Sequence, residues 1–132
     1  MADELMWIAG EWCAAENQET SDVINPATGD VMGTVPRATM GDVDRCVAAS
    51  RTALNGAEWK AMDPAQRGRI LNKMAAVTYA KAKELAVIES SNNGKTFREA
   101  LSEIRYGAWT LEYFAGLSDK IEGTTIPVPG PR

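Results

Sequence analysis

Two cysteines, three tyrosines, eighteen carboxylates and the lysine of Asn93-Gly94-Lys95 are the side chains here that could move a proton or form a bond. No histidine accompanies them anywhere in the 132 residues. That removes Ser-His-Asp and Cys-His nucleophile pairs, histidine general bases and histidine metal sites. Cys13 and Cys46 stand alone, without a Cys-X-X-Cys spacing, so they fit a reducing compartment better than a disulfide framework. Cys46 falls on the apolar stripe of a helical pattern and is expected to be a small core residue. Lys95 follows a helix-stop signal, and the helix dipole already accounts for a cation there. Phosphate binding is equally poorly served. The eleven glycines include no Gly-X-Gly, and none opens a helix directly after a strand as a dinucleotide cradle requires.

The elements that would position a site are legible from local signals. Met6-Trp7-Ile8, Ala9-Gly10 and Glu11-Trp12-Cys13 read as a small hairpin, with Trp12 a packing aromatic, and Glu16 to Ser21 as a polar loop. Asn25-Pro26 and Thr28-Gly29-Asp30 are turns, with β-prone pieces at Val23-Ile24 and Val31 to Val35. Thr39 with Asp42 three residues on starts a helix from Met40 to about Leu54, whose stripe is Val43, Cys46, Val47, Ser50 and Leu54. Asp63-Pro64-Ala65-Gln66 starts another, with apolar periodicity out to about Ser91. Gly94 is its expected left-handed stop. Thr96-Phe97-Arg98-Glu99 is a further capping box, opening a long helix with a core stripe of Leu101, Ile104, Ala108, Leu111 and Ala115. Its second face carries Ser102, Tyr106, Trp109, Thr110 and Tyr113. A helix apolar on two faces is usually buried between layers. The end, Pro127 to Arg132, reads as extended.

Composition limits the function classes. With 45% hydrophobic and 24% charged residues the chain is an ordinary globular sequence, long enough for one domain or part of one. A net charge of −4 without any basic run argues against nucleic acid or an anionic membrane as partner. No apolar run approaches the length of a membrane span. The start, Met1-Ala2-Asp3-Glu4, is acidic where a secretory signal is basic, so the expected location is cytoplasmic.

Three landmarks in order carry a resemblance. They are Asn25-Pro26-Ala27-Thr28-Gly29-Asp30-Val31-Met32, then Asn93-Gly94-Lys95, then Tyr113-Phe114-Ala115-Gly116 followed by Asp119-Lys120 and Gly123 to Pro127. At this spacing the chain resembles the amino-terminal portion of the NAD(P)-dependent aldehyde dehydrogenase superfamily. The resemblance implies an α/β fold, here a fragment: short N-terminal strands followed by four helices, the front of the nucleotide-binding domain. It implies a break in the middle helical stretch near Tyr79 to Lys83. It implies, for a complete enzyme, oxidation of an aldehyde to a carboxylic acid with NAD or NADP, through a cysteine thiohemiacetal and a glutamate base, in a homo-oligomer. The family's nucleophile, base and cofactor loop match no residue here, so residues 1–132 are expected to be incomplete and catalytically silent alone. By the same resemblance Ser102, Tyr106 and Thr110 fall nearest the aldehyde tunnel. A structural monovalent cation would lie by the main-chain oxygens of Val23 and Ile24, with Asn92 standing where family members have a carboxylate. The alternative is a free-standing, non-catalytic helical module that binds a partner or modulates oligomerisation. Alone, the chain is expected to be helical but loosely packed, because its last helix is apolar on two faces.

Calorimetric titration of NAD or NADP into the 132-residue chain is expected to show no saturable binding tighter than millimolar. Saturable binding in that range would place a phosphate cradle within this segment.

Overall fold

The computed structural model describes residues 4–127 and residue 130. Two separate antiparallel hairpins come first. β1 (Met6–Ile8) pairs with β2 (Glu11–Cys13), and β3 (Thr20–Ile24) pairs with β4 (Val31–Pro36). The first turn places both Ala9 and Gly10 at positive φ, as a tight two-residue hairpin requires. The second is closed by the Asn25 side chain accepting from Ala27 N–H at 2.9 Å and by Gly29 at φ +80. A bulge between Val23 and Ile24 shifts the β3–β4 register before its last pair, Ile24 with Val31. β3 begins at Thr20, inside the stretch expected as loop, because Arg37 N–H reaches the Glu19 carbonyl and extends the ladder. Trp12 is not enclosed as expected. It is 64% exposed and rests edge-on against Trp7, 4.8 Å between centroids, since a three-residue strand pair has one neighbour to pack on.

Five helices follow: α1 (Met40–Asn55), α2 (Ala57–Ala61), α3 (Pro64–Ala80), α4 (Ala82–Asn93) and α5 (Phe97–Leu117). The short α2 is the addition to the four expected; a single turn has no periodicity to announce it. The starts of α1 and α3 are the capping boxes of the sequence, at Thr39/Asp42 and Asp63/Gln66. α3 and α4 join at Lys81, where the hydrogen-bond ladder continues across a residue at φ −97 and ψ 9, outside helical values. Gly94 stops α4 at φ +80.

Asp42 ties α1 to the chain before it. Its carboxylate, 1% exposed, accepts from Thr39 N–H at 2.8 Å, Thr39 Oγ1 at 3.0 Å, Glu16 N–H at 3.2 Å and the Arg45 guanidinium. The Thr39 amide does most to hold this carboxyl far below the usual range; Arg45 and the Glu16 amide add to it, and burial opposes.

The core is a seam of small residues. Ala75 on α3 and Ala82 and Ala86 on α4 are buried, as are Ala100, Ala108 and Ala115 on α5. At Gly68 on α3 an added Cβ would lie 2.8 Å from the Ala115 carbonyl and closer still to Ser118 Oγ. The helices therefore cross at close range. Leu101, Ile104 and Leu111, expected as the core of α5, flank this seam half-buried. The α1 stripe touches β1 and α2 only at its margins: Val43, Val47 and Leu54 are 47%, 47% and 61% exposed, and Cys46 is exposed rather than buried. The stripe is apolar as expected, but the described residues leave most of it open. The chain exposes 10184 Å², against ~6,800 Å² for a compact monomer of 14.3 kDa. The extended stretch is described through Pro127; Val128, Pro129, Pro131 and Arg132 of the expected tail lie outside the described residues. Among the described residues no helix is long and apolar enough to cross a membrane.

The seam predicts opposite outcomes for two glycines. Gly68→Ala should lower the thermal midpoint of the helical signal, since overpacking costs about 1–3 kcal/mol. Gly107→Ala, with nothing within 4 Å of the added carbon, should raise it, since alanine favours a helix interior over glycine by about 0.5–1 kcal/mol. Equal effects would contradict the close crossing. Acid should act through Asp42. Because its folded pKa is depressed, its contribution is complete above the unfolded value, about 3.9, and is lost as pH falls through the folded one. The midpoint gap between wild type and Asp42→Asn should be widest above about pH 5 and shrink on acidification; a gap independent of pH would contradict it.

Candidate functional site

α5 is positioned from both ends of its preceding loop. Gly94 sits against Pro26, where an added Cβ would come within 3.0 Å of the proline ring, so the α4–α5 loop rests on the β3–β4 turn. Lys95 then bridges Glu89 on α4, at 3.1 Å, and Glu103 on α5. Glu103 foremost, then Glu89, push its pKa up while burial opposes. Lys95 is thus a tie between two helices rather than a free reactive amine. Thr96 caps α5: its hydroxyl accepts from Glu99 N–H at 3.3 Å and donates to Glu99 Oε2 at 2.9 Å. The reciprocal bond of a full capping box is replaced by this side-chain pair. Further along, Tyr79 of α3 donates to Glu112 at 3.5 Å, and burial first, then Glu112, pushes the phenol up.

With its seam against α3 and α4, α5 turns its aromatic residues to the opposite side. Tyr106 stacks on Trp109 with centroids 5.4 Å apart and planes 30° apart; Trp109 continues to Tyr113 at 5.9 Å, and Tyr113 meets Phe114 edge-on at 5.4 Å. Tyr106 is 66% exposed and Tyr113 54%. This second face was expected between two layers; here one layer is present, and the face is open. Ser102 and Tyr106 are exposed one turn apart, while Thr110 is half-buried with its hydroxyl donating to the Tyr106 carbonyl at 2.9 Å. Of the three, Ser102 and Tyr106 present free polar atoms, and Thr110 is satisfied within its own helix.

The segments of Val23, Ile24 and Asn92 meet through the Gly94–Pro26 contact, with Asn92 exposed on the last turn of α4. Among the described residues no group of three or more His, Cys, Asp or Glu gathers. Among the described residues, three helix starts are closed to the pyrophosphate of a dinucleotide. The starts of α1, α3 and α5 are filled by Thr39 with Asp42, Asp63 with Gln66 and Thr96 with Glu99. Each carries a carboxylate where a pyrophosphate would need free amides. Those three helix starts do not fit a pyrophosphate.

The arrangement the sequence reading missed is on α3. Arg67 stacks its guanidinium 4.5 Å from the centre of the Trp59 ring. Nothing in the sequence marks the pair, because Trp59 lies in the unannounced α2.

Residues 12–132 match the aldehyde dehydrogenase family model. The chain belongs to the aldehyde dehydrogenase family. It is 40% identical to retinal dehydrogenase 2 of Mus musculus over 127 residues, covering 95% of this chain and 24% of that protein. It is equally 40% identical to cytosolic 10-formyltetrahydrofolate dehydrogenase of Xenopus tropicalis, over 93% of this chain and 14% of that one. Among solved structures, an aldehyde dehydrogenase from Bacillus cereus superposes with a TM-score of 0.91 at 35% identity, covering 96% of this chain and 26% of that chain. Betaine aldehyde dehydrogenase from Staphylococcus aureus, solved with NAD+, gives 0.89 at 32%, over 98% and 26%. This aldehyde dehydrogenase chain therefore spans about a quarter or less of the proteins it matches. Short antiparallel strands followed by helices are the amino-terminal part of that fold.

Proposed function

We propose that residues 1–132 are the incomplete amino-terminal part of an aldehyde dehydrogenase domain, and that the whole protein oxidises an aldehyde to a carboxylic acid with NAD or NADP. The observation that carries this reading is the family match over residues 12–132. The segment's own role is structural and substrate-facing. It brings no cofactor cradle, so the nucleophile, the base and the phosphate loop belong to the rest of the protein, which is cytoplasmic and homo-oligomeric in this reading. α5 supplies one wall of the aldehyde tunnel through Ser102, Tyr106 and Thr110, with Tyr106 held upright by its stack on Trp109. Main-chain oxygens of Val23 and Ile24, with the Asn92 amide, are the place for a structural monovalent cation.

A second reading, a free-standing module that binds a partner, is favoured by the large exposed apolar surface. The coding sequence after Arg132 separates the two. In-frame sequence with a cofactor loop and a cysteine nucleophile supports the enzyme; a stop codon supports the module.

In the complete enzyme, aldehyde-dependent reduction of NAD or NADP is the first expectation. Tyr106→Ala should then widen the tunnel, raising the ratio of kcat/KM for bulky over short aldehydes by about tenfold or more, as apolar pockets discriminate by roughly 1–3 kcal/mol per methylene. A variant that loses stability with that ratio unchanged would place Tyr106 in the core instead.

A further inference from the structure

Asparagine stands directly before glycine twice, at Asn55-Gly56 and at Asn93-Gly94. The pair carries a latent reaction, because a glycine amide nitrogen, unshielded by any Cβ, can attack the side-chain carbonyl carbon of the asparagine before it. Both asparagines are exposed at helix ends, and the fold treats them differently. At the end of α4 every participant is held. Asn93 Nδ2 donates to Glu89 Oε1 at 2.6 Å, and its Oδ1 accepts from Lys95 N–H at 3.0 Å. Gly94 N–H donates to the Ser90 carbonyl at 3.0 Å, and Gly94 rests on Pro26. At the end of α1 the hold is slight. Asn55 Nδ2 donates to the Arg51 carbonyl at 3.0 Å, while its Oδ1 accepts from nothing among the described residues. Gly56 N–H makes one long bond, 3.2 Å, to the Ala53 carbonyl, and Gly56 has already left the helix at φ −62 and ψ 145. It lines an open groove of about 660 Å³ together with Ala53, Leu54 and Ala57.

We infer that Asn55 is a site of spontaneous deamidation, and that the fold protects Asn93 from the same reaction. The step needs only water. The Gly56 nitrogen gives up its proton and bonds to Asn55 Cγ. The side-chain nitrogen takes up a proton and leaves as ammonia, which closes a succinimide ring. Water then opens the ring at either carbonyl, to aspartate or to isoaspartate, and nothing is oxidised or reduced. Ring closure requires Asn55 to leave helical backbone angles, so its rate follows local opening of the last turn of α1. That turn is weakly held: Leu54 beside it is exposed, and no basic residue in the last turn answers the helix dipole. Opening the end of α4 must instead break both side-chain bonds of Asn93 and lift Gly94 off Pro26. The product is a carboxylate at the C-terminal end of α1, where the dipole disfavours an anion. The modified α1 therefore holds its last turn less well than the original.

The test is isotopic. The full chain is incubated in heavy-oxygen water at mildly alkaline pH, beside a second sample kept in urea. Both are then digested in ordinary water, and the peptides are weighed by mass spectrometry. In the folded chain, label should enter the Asn55 peptide about tenfold or more faster than the Asn93 peptide, through the easier local opening of α1. In urea the two rates should converge, because the bonds to Glu89, Lys95 and Pro26 are gone. Asn55→Gln should leave its peptide unlabelled in both samples. Equal labelling of the two sites in the folded chain, or faster labelling at Asn93, would overturn the inference. So would a difference that persists unchanged in urea, since it would then owe nothing to the fold. An Asn55 peptide that stays unlabelled in the folded chain while urea labels both sites would overturn it too.

Discussion

The close crossing of α3 and α4 over α5 is the constraint on which everything else depends. It is built from alanines and one glycine, so its contribution lies in proximity rather than in bulk. Helices that touch through Ala75, Ala108 and Ala115 leave no room between them for Ile70, Met74, Tyr106, Trp109 or Tyr113. Those large side chains are driven to the outer faces. The result is one layer of helices with apolar surface on both sides, where an independent small domain would fold its bulk inward. The excess exposed area and the open aromatic face of α5 are two views of that one arrangement.

The hairpins and α1 are attached to this layer at few points. Asp42 gathers the α1 start and the Glu16 amide into one buried carboxylate cluster. Gly94 rests on Pro26, and Lys95 spans Glu89 and Glu103. These contacts fix the rotation and direction of α5, and hence the side on which its aromatic stack stands. The tunnel proposal for Ser102 and Tyr106 depends on that side.

Much of this was legible in the residues, and the division has a physical basis. Helix starts are local: Thr39/Asp42, Asp63/Gln66 and Thr96/Glu99 are read within four residues, and Gly94 announces its own left-handed φ. Periodicity identified the α1 and α5 stripes, but a stripe reports apolar character, not the presence of a partner. Cys46 and Val47 were assigned to a core that these residues do not build. The seam was harder to see because alanine carries a weak hydrophobic signal, so Leu101 and Leu111 drew attention from Ala100 and Ala108. Arg67 was invisible for another reason. Its stack depends on Trp59 in a single helical turn that no pattern predicts. The three family landmarks survived because they are turns and helix ends, whose chemistry is tied to sequence at short range.

Native-state hydrogen exchange of the 132-residue chain tests the central claim most directly. If the small-residue seam organises the molecule, the slowest amides should lie along its length, around Ala75 on α3, Ala86 on α4 and Ala108 on α5. Both hairpins and α1 should exchange orders of magnitude faster, through openings that leave the seam intact. Protection that is uniform over hairpins and helices would mean a single cooperative core closed by this chain alone, and would contradict the account.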